Sequence, residues 1–108
     1  MNIELAKEIV ANYEKHGWSL RRVLVTSATE AGGPELTEAF PDSATMAGEI
    51  EALWFSRPSH GGREAWELRL VAEQSYALFE AFEADDAEED REAARREMEN
   101  KMRDYASR

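Results

Sequence analysis

Between Glu49 and Val71, apolar and polar positions alternate on both sides of Gly61 and Gly62, the pattern of two strands joined by a tight turn. Consecutive glycines suit a two-residue type I′ loop, because both central positions need φ > 0 and neither residue has a Cβ to oppose it. Such a loop sets Arg57 opposite Trp66, Phe55 opposite Leu68 and Leu53 opposite Leu70 on one apolar face. The other face then pairs Trp54 with Arg69 and Ser56 with Glu67. A three-residue loop would set Leu53 against Arg69 and Trp54 against Leu68, mixing both faces, so the two-residue parity is the expectation.

Upstream, Leu5, Ala6, Ile9, Val10 and Tyr13 recur at helical spacing between Asn2, a capping residue, and Gly17 just past the end. With Gly17 at C′, Trp18 falls where it can fold back on Tyr13 in a Schellman ending. Leu20 to Thr26 reads as a strand buried on both faces, with Arg21 and Arg22 near its start. Residues 27–48 have no clear period. They read as a long connection with one short helical turn at Pro34–Ala39, long enough to act as a lid or binding loop, or to be a tolerated insertion.

Tyr76 to Glu83 reads as a third meander strand, although Ser75, Leu78, Phe79 and Phe82 also fit a helical face. In the parity that buries no charge, Ala77, Phe79 and Ala81 join the Leu68 and Leu70 face. A final helix runs from about Ala87 to Tyr105, opened by Asp86 and Glu89 as a capping box and tied by Glu92–Arg96, Glu97–Lys101 and Glu99–Arg103 at i, i+4. Its apolar stripe of Ala94, Met98, Met102 and Tyr105 is thin. The whole predicts one α+β domain over residues 1–108 in the order α-β-β-β-β-α. Both terminal helices are expected on the Leu53, Phe55, Leu68 and Leu70 face of a mostly antiparallel four-stranded sheet, in two layers. The pattern leaves open where the first strand docks.

Composition narrows the function classes. A formal charge of −10 opposes binding to nucleic-acid phosphates, and it serves solubility or, at most, attraction to a basic partner. The absence of cysteine excludes disulfides, a thiolate nucleophile and cysteine-bearing zinc sites, which fits a reducing compartment. The first residues resemble no secretory leader and no apolar run has membrane-spanning length, so a cytoplasmic protein is expected, with no membrane partner. His16 and His60 fall in no ligand spacing. The acidic run Asp85–Asp90 lacks the alternating oxygens and glycine of a calcium loop and suits a helix N-terminus, so neither metal nor cofactor is expected. Ser59 and His60 are adjacent on a strand end, where side chains diverge, and no catalytic residue is assigned.

Two binding readings remain. The second sheet face collects Trp54, Arg69, Val71, Tyr76 and Leu78, too apolar for water, and predicts a non-catalytic interaction module that meets either another protein or a second copy of itself. The alternative is a binding protein or enzyme for a small anionic metabolite. It would hold the ligand on Arg57, His60 and Arg63 at the hairpin tip, with residues 27–48 as lid.

Overall fold

Asn2 caps the first helix, α1 (Ile3–Lys15), by accepting the Leu5 amide on Oδ1 at 3.1 Å, in a computed structural model that describes residues 1–26 and 34–107. At the other end Gly17 adopts φ 85°, and the amides of Gly17 and Trp18 donate to Glu14 O and Tyr13 O, both at 3.1 Å. This is the expected Schellman ending, and it lays Trp18 edge-on against Tyr13 with ring centroids 6.1 Å apart.

After α1 come β1 (Ser19–Thr26), α2 (Pro34–Ala39), β2 (Ala44–Gly48), β3 (Ala52–Pro58), β4 (Glu64–Leu70), β5 (Ala77–Phe82) and α3 (Glu88–Ala106). The strands form one sheet in the order β2-β1-β3-β4-β5. β1 and β2 are parallel, and the remaining neighbours are antiparallel. The α+β class therefore holds, whereas the sheet has five strands rather than four and is mixed. The segment read as a third meander strand is a strand, over Ala77–Phe82. The additional strand, β2, lies in the stretch expected to be a connection. Its sequence, Ala-Thr-Met-Ala-Gly, carries little β-propensity. A parallel partner needs a crossover of a dozen or more residues, which gives the length of the preceding segment a reason other than a lid. Residues 27–33, part of the proposed lid, lie outside the described residues. Leu36 and Phe40 of the remainder are buried against α1.

The hairpin takes the register that the sequence argument rejected. Leu53 pairs with Arg69, Trp54 with Leu68, Phe55 with Glu67 and Ser56 with Trp66. Its loop is one residue longer than expected: Ser59 N donates to Arg63 O at 2.8 Å, enclosing a single 3₁₀ turn at His60–Gly62. Both glycines still supply positive φ, 68° at Gly61 and 76° at Gly62. β5 shifts with β4, so Leu78 pairs with Leu68, and Phe79 joins Glu67.

The rejected register succeeds because the sheet is covered on both faces. On one side α1, α2 and Phe40 just after it bring Ala6, Ile9, Val10, Leu36 and the Phe40 ring against Val23, Val25, Leu53 and Phe55. On the other, α3 brings Met98 and Met102 against Leu24, Ala52, Trp54, Trp66, Leu68, Leu70 and Phe82. The two terminal helices thus sit on opposite faces, and the domain has three layers. A bulge between Leu20 and Arg22 adjusts β1 to this arrangement, and Arg21 Nε donates to the buried Ser56 hydroxyl at 2.7 Å.

The thin stripe of α3 is supplemented by charged groups. Arg95 is only 2 % exposed. Its guanidinium lies 4.1 Å from the Trp66 ring centroid and 5.4 Å from that of Phe82, and it donates to Glu88 and Glu92, each at 2.8 Å. Glu92 also accepts two bonds from Arg22 at 3.0 and 3.1 Å. Glu92, Glu99 and Arg103 therefore reach across to the sheet side, to Arg22, Trp54 and Glu49 respectively, rather than to the i, i+4 partners that the pattern proposed. Asp86 does not cap α3. Ala87 holds the N-cap position without a side-chain bond, while Asp86 accepts the Glu83 amide at 2.8 Å. Among the described residues, no helix is long and apolar enough to cross a membrane.

Candidate functional site

The first helix covers β1 and β3 but stops short of the far side of the sheet. Beyond Tyr13 and Trp18, the same face continues as a ledge made by Glu67 and Arg69 of β4 and by Ala77, Phe79 and Ala81 of β5. Phe79 is 57 % exposed there, and both alanines are exposed. Trp18 is the ledge's inner wall, with its ring perpendicular to that of Phe79 and centroids 6.5 Å apart. β5 is also the last strand of the sheet, so the ledge ends in an open strand edge.

The inner wall is stiff. Tyr13 stacks on Phe55 with centroids 4.0 Å apart and planes 10° from parallel, and its hydroxyl donates to Glu67 Oε2. Burial, followed by the hydrogen bond and negative charge of Glu67, pushes the Tyr13 hydroxyl well above the usual tyrosine value, with Arg69 opposing. The hydroxyl therefore remains a neutral donor through the physiological range. Arg57 stacks on Trp18 at 4.5 Å and donates to His16 O at 2.8 Å, tying the β3 end to the α1 terminus. A shallow recess of about 320 Å³ lies between this wall and the ledge, floored by Glu67 and Arg69. Arg69 itself is directed to the Leu70 carbonyl. The site thus offers an aromatic and aliphatic contact surface with hydrogen-bonding groups along one side.

The residues expected to share the second sheet face are dispersed. Trp54 is fully buried beneath α3, with Nε1 donating to Glu99 Oε2 at 2.8 Å. Tyr76 stacks on Tyr105 of α3 at 3.7 Å, and Leu78 packs into the same α3-side cluster. Arg69 belongs to the opposite face, and Val71 is buried in the α1-side core. A face that looked open in the sequence is closed by the helix assigned to the wrong side.

The hairpin cations do not converge either. Arg57 is turned onto Trp18, whereas Arg63 pairs with Glu83 at 2.9 Å, and His60 is exposed within the 3₁₀ turn. Among the described residues, no group of three or more histidine, cysteine or acidic side chains is arranged to hold a metal ion.

Sequence reasoning missed Phe79 as a surface residue because the assumed parity placed it under a helix. The signal was nonetheless present: Ala77, Phe79 and Ala81 alternate with Leu78, Glu80 and Phe82, and the correct hairpin parity assigns them to a face shared with two charges. No protein-family model, curated protein or solved structure matches the chain.

Proposed function

We propose that this chain is a non-catalytic, cytoplasmic protein-interaction module whose contact surface is the ledge of β4 and β5 rather than the Trp54 face. The observation that carries the reading is Phe79, a large ring left 57 % exposed on a terminal strand whose neighbours on that face, Ala77 and Ala81, are too small to shield it. Terminal strands commonly carry protective devices such as charge, proline or a covering element; on this face of β5 the side chains are alanine and phenylalanine alone. An exposed aromatic beside an unpaired backbone edge suits strand addition, where main-chain bonds supply affinity and the ring supplies an anchor. The absence of cysteine fits a reducing compartment.

The test is native mass spectrometry of the protein purified gently from its own cells, wild type beside Phe79→Lys. A larger assembly in the wild type that is missing from the variant supports the reading. A bare monomer in the wild type at every concentration up to well above the micromolar range, or an assembly that survives the substitution, overturns it.

A further inference from the structure

We propose that the occupant of the β5 edge is a second copy of this chain, paired antiparallel through β5 about a two-fold axis at Phe79, so that two five-stranded sheets become one. The proposal deepens the interaction reading and rests on it.

The backbone specifies which groups are available. Leu70 N donates to Tyr76 O at 2.9 Å. Bonding residues alternate along an antiparallel pair, so Tyr76, Leu78, Glu80 and Phe82 direct their amides and carbonyls to β4. Ala77, Phe79 and Ala81 direct theirs outward. Those same three residues carry the ledge side chains, which makes the edge and the exposed ring one surface.

The side chains then select the register. Outward bonding permits pairings centred on Leu78, Phe79 or Glu80, each aligning outward-directed residues with outward-directed residues. Centring on Glu80 would set the two Glu80 carboxylates directly opposite each other, a like-charge pair on a strand. Centring on Phe79 sets Glu80 opposite Leu78 of the second copy and Ala77 opposite Ala81. The ledge sequence Ala-Phe-Ala reads the same in both directions, so alanines flank the two rings on either side of the axis. Centring on Leu78 lacks this match, since Phe79 would oppose Ala77. Self-complementarity of this kind is what a two-fold interface requires and what a foreign strand has no reason to possess.

The contact is small. A six-residue edge presents less surface than the roughly 800 Å² per partner of a standard interface, so association is expected at the micromolar level or weaker. Each copy carries a formal charge of −10. Screening should therefore strengthen the dimer as salt is raised, the opposite of an acidic surface attracting a basic partner.

The chain has no cysteine, so single cysteines report the register directly. Opposed bonding residues lie about 5.5 Å apart at Cα, within disulfide range. The reporters are placed beside Phe79 so that its ring is kept, and cross-linking is driven by mild oxidation. A77C and A81C should cross-link with each other when mixed, and neither should do so alone. The control is E8C, on the exposed side of α1. In parallel, sedimentation of the cysteine-free protein over rising concentration should show a monomer–dimer equilibrium that shifts to monomer in Ala81→Pro, which removes an outward amide and no bond to β4. If mixed A77C and A81C cross-link no faster than E8C, or if Ala81→Pro leaves the dimer fraction unchanged, self-pairing is overturned. If self-pairing fails in this way while native mass spectrometry still shows a second protein lost on Phe79→Lys, the interaction reading stands and only the identity of its partner changes.

Discussion

The indole of Trp54 and the carboxylate of Glu99 meet at 2.8 Å across the interface between β3 and α3. Trp54 is fully buried, and Trp66 lies edge-on beside it at 5.9 Å, so this bond satisfies an indole N–H that has no access to water. Trp54→Phe keeps an aromatic ring but loses the donor and leaves a void, and should cost about 2 kcal/mol. Glu99→Ala leaves the indole N–H without its acceptor and should cost about 1–3 kcal/mol, while Glu99→Gln keeps an acceptor and should cost less. Trp54→Glu should unfold the domain, since it drives a carboxylate into the α3 layer. Urea midpoints followed by circular dichroism rank the four variants; a folded Trp54→Glu protein would contradict the burial.

Arg95 behaves as a core residue with a charged end. Its guanidinium covers Trp66 and Phe82, while its acidic partners, Glu88 and Glu92, reach water. Arg95→Ala loses both the packing of the stem and the cation–π contacts, and should cost about 2–3 kcal/mol. Arg95→Met retains the stem volume and should recover at least half of that loss. Equal destabilisation by the two substitutions in chemical denaturation would show that charge, and not coverage of the rings, is what the position requires.

The acid limb of stability should depend on the same cluster. The hydrogen bond and charge of Arg22, with a further hydrogen bond from Arg95, hold the Glu92 carboxyl below its usual value, and Arg95 does the same for Glu88. A carboxyl depressed in the folded state adds stability above its unfolded value, near 4.5, and loses it as pH falls through that value to the folded one. Thermal midpoints should therefore decline as the pH is lowered through about 4.5 and below, and Glu92→Gln should flatten the decline. Tyr13 works in the opposite direction. Its hydroxyl is raised, so the stability it adds is present below the ordinary tyrosine value of 10.0 and is lost above it. Tyr13→Phe should reduce the alkaline slope.

Local features of the fold were legible where a few adjacent residues determine the geometry. Asn2 and Gly17 bound α1 as their backbone chemistry demands, Pro34–Ala39 forms its short helix, and two glycines turn the hairpin. The register was not legible. Choosing it required knowing that α3 covers the Trp54 face, and the stripe of α3 looked too weak because Arg95 and Glu99 do not register as apolar cover. That single misplacement propagated: it exposed Trp54, buried Phe79 and gathered Arg69 and Leu78 onto one face. β2 escaped for a different reason. Its placement comes from pairing with β1, a non-local partner, and not from its own weak propensity.

The hairpin cations should prove structural. Arg57 joins His16 and Trp18, and its replacement by alanine should cost about 0.5–1 kcal/mol through the lost cation–π contact. Arg63→Ala, which removes an exposed pair with Glu83, should be close to neutral. A panel of carboxylate and phosphate ligands should leave the thermal midpoint of the wild type unchanged. A ligand-induced rise abolished by the double substitution would restore the anion-binding alternative.

The two hairpin glycines should differ in what they tolerate. Both hold positive φ, so alanine at either position is strained by about 1 kcal/mol. At Gly61 a Cβ would meet nothing within 4 Å, and Asn, which visits the left-handed region more readily, should restore most of the loss. At Gly62 the same Cβ would stand 3.2 Å from the Ala84 Cβ, on the segment leading from β5 to α3. There asparagine relieves the backbone but not the crowding. Gly62→Asn should thus remain destabilised relative to Gly61→Asn, and Ala84→Gly should narrow the gap by opening the space that the new Cβ needs. Thermal unfolding of the single and double variants supplies the coupling between positions 62 and 84. Additive effects would mean that the backbone conformation alone, and not the approach of Ala84, restricts Gly62.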